Sequence, residues 1–106
     1  MHDKYSYRVI WSEEDQEYIG LVAEFPSLSW LSKSQETAFK GIRKLAQEVV
    51  ADMKQQGELI PEPLASKTFS GKFMVRVPPE VHRRLTIAAQ EAKISLNRLI
   101  SAKLAA

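Results

Sequence analysis

The chain has no cysteine, which excludes a disulfide framework and any thiolate metal site. No apolar run approaches the roughly 20 residues that a membrane-spanning helix needs. The opening Met1-His2-Asp3-Lys4-Tyr5 lacks a basic region followed by an apolar one. No secretion signal is therefore expected, and a cytosolic setting is. Glycine occurs four times, never as a phosphate-cradling loop. The first candidate strand, Tyr-Ser-Tyr-Arg-Val-Ile-Trp, has no acid. A two-metal nuclease needs clustered carboxylates, one of them on such a strand. Glu13, Glu14 and Asp15 sit together in a polar turn, where a solvated run is expected, and Glu24 stands alone. His2 is terminal, and His82 lies beside Arg83 and Arg84. No serine has a plausible catalytic partner. The reading is that the protein is not an enzyme and takes no metal or other cofactor.

What the chain does have is a charge asymmetry. Residues 1–65 hold 7 Lys/Arg against 11 Asp/Glu, net −4, and residues 66–106 hold 8 against 2, net +6. The basic half suits phosphate and the acidic half a basic protein, although ordinary surface charge also fits. At 106 residues the chain makes one or two small domains.

Tyr5–Trp11 alternates, with Tyr5, Tyr7, Val9 and Trp11 on one face and Ser6, Arg8 and Ile10 on the other. Glu17–Phe25 is a second strand, with Ile19, Leu21, Ala23 and Phe25 on one side. The turn at 12–16 makes an antiparallel hairpin, and Pro26 ends it. Leu28–Leu31 fits a short third strand. A long helix opens at Ser34, or at Ser32 with Gln35 as a capping box. Its stripe is Ala38, Ile42, Leu45, Val49 and Met53, flanked by Phe39, Ala46 and Val50, and Gly57 stops it. Pro61 and Pro63 break any helix in 58–70, which reads as the connection between two units.

From Lys72 the pattern changes. Phe73, Val75 and Val77 share one face of a strand, and Lys72, Met74 and Arg76 share the other. Pro78-Pro79 ends the strand and opens a helix with Val81, Leu85, Ala88 and Ala89 on its apolar face. Lys93-Ile94 makes a turn. Ser95 caps a last helix carrying Leu96, Leu99, Ile100 and Leu104. One copy is too short to build a core, whereas two copies can pair the strands and interlock the helices. The paired ribbon then fits a DNA major groove, with Lys72 and Arg76 positioned for guanine and Met74 for a thymine methyl. The amides near Leu96 and Asn97, with the Ser95 hydroxyl, form a phosphate site, and Lys93 is a further phosphate contact. Trp11 and Trp30 fit either the sheet or an aromatic anchor for a partner protein.

Residues 71–105 resemble the ribbon-helix-helix repressors such as Arc and MetJ. That resemblance makes Lys72, Met74 and Arg76 base readers and the start of the last helix a backbone clamp. The hairpin, short strand, long helix and Ile60-Pro61-Glu62-Pro63 exit of residues 5–63 resemble the HicB antitoxin domain. Phe25-Pro26-Ser27-Leu28 and Glu36-Thr37-Ala38 carry the detail. The Pro-Gly usual after the second strand and the glycine usual before the helix are missing. The resemblance implies an α+β fold: an antiparallel sheet with one long helix, partial-ribonuclease-H-like, joined to a ribbon-helix-helix. The expected domains are 1–63 for toxin binding, a linker at 64–70, and 71–106 for DNA binding and dimerisation. It also implies an antitoxin that neutralises a HicA-like mRNA-cleaving toxin and represses its own operon. The implied partners are operator DNA, that toxin, and a second copy, with tetramers left open. The rival reading is a stand-alone dimeric repressor whose N-terminal domain senses a small ligand.

Overall fold

The computed structural model describes residues 2–106. The fold is α+β, and the chain divides into two compact units, Met1–Phe69 and Ser70–Ala106.

The first unit begins with a 3-10 turn, His2–Lys4, and continues through β1 (Tyr7–Ser12), β2 (Glu17–Val22) and β3 (Ser29–Ser32) into α1 (Gln35–Gln55). The sheet is antiparallel in the order β1-β2-β3. Strand register fixes which residues share a face. Tyr7 opposes Val22, Val9 opposes Gly20, and Trp11 opposes Tyr18; Gly20 in turn opposes Trp30. α1 lies on this side, because a Cβ at Gly20 would meet the Ala38 carbonyl and the Ile42 side chain. The core joins Tyr5 and Val22 to Ile42 and Ala46.

One open point is settled here and one sequence expectation changes. The side of β2 that faces the helix, which the alternation alone left open, is Gly20 and Val22. A glycine adds nothing to an apolar count, yet it is what allows the helix to approach. The second strand also stops at Val22 rather than Phe25. Residues 23–28 turn back instead, with Phe25 N–H donating to Val22 O and Leu28 N–H to Phe25 O. That turn resets the alternation and lets Phe25 pack edge-on against Tyr5, with ring centroids 5.5 Å apart.

α1 starts at the later of the two expected caps. The Ser34 side chain accepts from Thr37 N–H at 3.2 Å. At its other end Gly57 takes φ +73, with Gly57 N–H bonded to Lys54 O and Glu58 N–H to Met53 O. These are the paired bonds of a Schellman stop, which glycine enters without Cβ strain. The chain then returns to the sheet. Tyr5 Oη donates to Pro61 O at 2.7 Å, Leu64 N–H donates to Glu24 Oε2 at 2.8 Å, and Pro63 is buried.

The second unit holds α2 (Pro79–Glu91) and α3 (Leu96–Ala105). Residues 72–77, expected as a strand, carry no strand ladder in the single chain. A strand's amides and carbonyls bond only to a neighbouring strand, and no other segment of this unit supplies one. The two helices fully bury Ala89 alone, at 2% exposure. Val81, Leu85, Ile94, Leu96, Leu99 and Ile100 are only half-buried.

Candidate nucleic-acid interface

The second unit displays its unpaired segment openly. Lys72, Met74 and Arg76 are all exposed, Met74 at 80%, and so is the opposite set, Phe73 at 76% and Val75 at 58%. Both alternating faces of 72–77 therefore meet solvent in one chain. Gly71 at φ +83 begins the segment. Pro78, with φ −57 and ψ 147, ends it and feeds directly into α2 with Pro79 in the first turn. Proline there forfeits only a donor that a first helical turn leaves unused.

The connection between the helices has a defined geometry. Lys93 adopts φ +58, Lys93 N–H donates to Gln90 O, and Ile94 N–H donates to Ala89 O. This is again a Schellman stop, but with lysine where glycine is usual. A left-handed lysine carries a backbone cost of about 1 kcal/mol. Ile94 folds back toward the α2–α3 contact and is half-buried.

Ser95 is the N-cap of α3, and its hydroxyl accepts from Arg98 N–H at 3.0 Å. Accepting that bond leaves the Ser95 O–H available to donate, so the cap and the expected phosphate contact are compatible. The Leu96 and Asn97 amides, at the first two helical positions, have no carbonyl one turn behind them inside α3. No acid lies in the first turn of α3, so the positive end of its dipole is not offset there. On α2, Arg83 and Arg84 border a shallow, open groove with Pro79, Glu80 and Ile87.

In the first unit, the structure places Trp11 and Trp30 on the helix side of the sheet. Trp30 is 44% exposed, and its indole occupies the space above Gly41, where a Cβ would collide with it. Trp11 sits at the hairpin end, packed edge-on against Tyr18 with centroids 5.0 Å apart. Its Nε1 donates to Glu13 Oε2 at 2.7 Å. Both rings thus combine packing with partial exposure.

Glu24 is the residue whose role the sequence hid. It accepts from Ser6 N–H at 2.9 Å as well as from Leu64. Burial alone would raise its pKa, but the hydrogen bonds from Leu64 and Ser6 outweigh that and hold the carboxyl below its ordinary value. Burial pushes the Tyr5 hydroxyl the other way, upward. Among the described residues no group of three His, Asp or Glu side chains is arranged to hold a metal ion. No helix among them is long and apolar enough to cross a membrane.

The HicB family model matches residues 55–104, which is 50 of the 106 residues. The match runs from the end of α1 through the return segment and both helices of the second unit. It lies mainly on the part that resembles a ribbon-helix-helix and does not extend over the sheet. No curated protein and no solved structure matches the chain. The matched segment is thus similar to the HicB family.

Proposed function

We propose that this chain is an antitoxin that binds and neutralises a HicA-like mRNA-cleaving toxin and represses its own operon through a ribbon-helix-helix dimer. The observation that carries the DNA-binding half is the segment 72–77. It alternates a basic face, Lys72-Met74-Arg76, with an apolar face, Phe73-Val75-Val77, and has no strand partner in its own chain. A second copy's identical segment supplies that partner, and the half-buried faces of α2 and α3 supply the rest of a shared core. The family match over the same residues points the same way.

In this reading the sheet unit is the toxin-binding part, with domain limits at 1–63 and 71–106 and the linker between. Lys72, Met74 and Arg76 read bases. Lys93 and the start of α3, through Ser95, Leu96 and Asn97, hold phosphates. Trp11 and Trp30 are aromatic contacts for the toxin.

A gel-shift series on the DNA upstream of the gene tests the reading. Arg76→Ala weakens specific binding by about 1–3 kcal/mol if the guanidinium forms a bidentate pair with guanine. Lys93→Ala weakens binding evenly across sequences and lowers the salt slope by about one. Alanine keeps the Cβ at the left-handed position, so this substitution reports the lost charge. Arg76→Ala binding as tightly as wild type refutes the ribbon. A gene without a short basic reading frame beside it removes the toxin and favours the ligand-sensing repressor.

A further inference from the structure

The sheet has α1 on one side only. Its other side carries three cross-strand rows, Ile10–Ile19–Leu31, Arg8–Leu21–Ser29 and Ser12–Glu17. Ile10 is 41% and Leu31 43% exposed. A sheet with one solvated face usually alternates polar residues outward, yet here four of eight outward positions, Ile10, Ile19, Leu21 and Leu31, are aliphatic. The hairpin turn beside this face holds Glu13, Glu14 and Asp15, all exposed. Between Arg8 and Lys33 the sequence has no Lys or Arg at all, while it has five acids. Glu17, at the edge, is paired with Lys33 at 3.3 Å.

From this face we infer a docking surface for a basic protein. The partner lays an aliphatic stripe across Ile10, Ile19 and Leu31, and its Lys and Arg side chains reach the acids of the hairpin turn. Three strands spaced about 4.8 Å apart give the row a width of about 10 Å, which suits the apolar stripe of a single helix of about that diameter. The charge selects the occupant. A second copy of the sheet brings the same acidic turn to the contact, where like charges oppose association. A basic partner gains from the same acids in encounter rate and in register. The surface rests on the antitoxin reading and adds a toxin contact on the helix-free side of the sheet to the aromatic contacts proposed for Trp11 and Trp30. Trp11 and Trp30 point to the other side.

The test uses the full-length chain and the purified basic protein encoded beside the gene, with affinity measured by calorimetry. Ile10→Lys combined with Leu31→Lys places cations on the apolar row and weakens binding at least tenfold. Binding to the upstream DNA stays unchanged. Arg8→Glu, on the same face, replaces a cation there with an acid and tightens binding several-fold, an increase that misfolding cannot produce. If wild type binds and the double variant binds equally well, this surface is wrong while the antitoxin reading stands. If Arg8→Glu leaves affinity unchanged or lowers it, the basic partner is not held at this face. If wild type itself does not bind, the antitoxin reading falls and this surface with it.

Discussion

Gly20 sets how closely α1 approaches the sheet. A Cβ there would stand 2.5 Å from the Ala38 carbonyl oxygen and 2.7 Å from Ile42 Cγ2. The first contact is with helix backbone, which has no rotamer to yield. Ile42 is completely buried and hemmed in by the core. Glycine in a strand normally weakens it, so this position trades strand propensity for close packing. Gly20→Ala therefore destabilises the first unit by about 2 kcal/mol, within the range typical of overpacked cores. Trp11 and Trp30, the chain's two tryptophans, both lie in this unit and report its unfolding by fluorescence in denaturant. An unshifted midpoint contradicts the packing described. Gly41 poses a gentler case, because the obstacle to a Cβ there is the partly exposed indole of Trp30.

The return segment after α1 is held by groups far apart in sequence, Tyr5 to Pro61 and Glu24 to Leu64. The Glu24 carboxyl lies below its ordinary pKa in the folded chain. Its stabilising contribution is thus fully present above the unfolded value of about 4.3 and is lost as pH falls through the lower folded value. Glu24→Gln lowers stability at neutral pH, and its gap from wild type closes as pH drops below about 4. Parallel acid titrations of the two proteins by tryptophan fluorescence check this, and a gap independent of pH excludes the carboxylate as the cause. Much of the element order was legible in the sequence because periodicity is a local property. The hairpin, the α1 stripe, the Ser34 and Ser95 caps and the Gly57 stop all follow from neighbours within a few residues. Glu24 was not legible, since its partner Leu64 lies 40 positions away. The inward side of β2 was not legible either, because packing there depends on a missing side chain. Lys93 reads as a turn in the sequence, but its left-handed backbone gives no signal, as lysine is seldom chosen for it.

At the scale of the whole molecule, the chain joins an acidic unit that has its own core to a basic unit that buries a single residue completely. On the proposed pairing, that second unit's stability depends on association, and one feature makes the dependence visible in time as well as in equilibrium. Residues 70–78 are exposed throughout, and Lys72 and Arg76 lie within them. In a solitary chain they form a ready substrate for trypsin-like cleavage, whereas a chain paired as proposed withdraws the same bonds into a ladder. The lifetime of the protein against a protease then depends on its own abundance: dilution exposes the segment, and crowding or bound DNA shields it. Limited trypsinolysis across a dilution series, with fragments mapped by mass spectrometry, is expected to show cuts after Lys72 and Arg76 that slow as concentration rises. Cleavage at those two bonds with a rate constant independent of concentration contradicts it. If the chain pairs as proposed, its exposed basic segment carries a clock, one that runs fastest when copies are few.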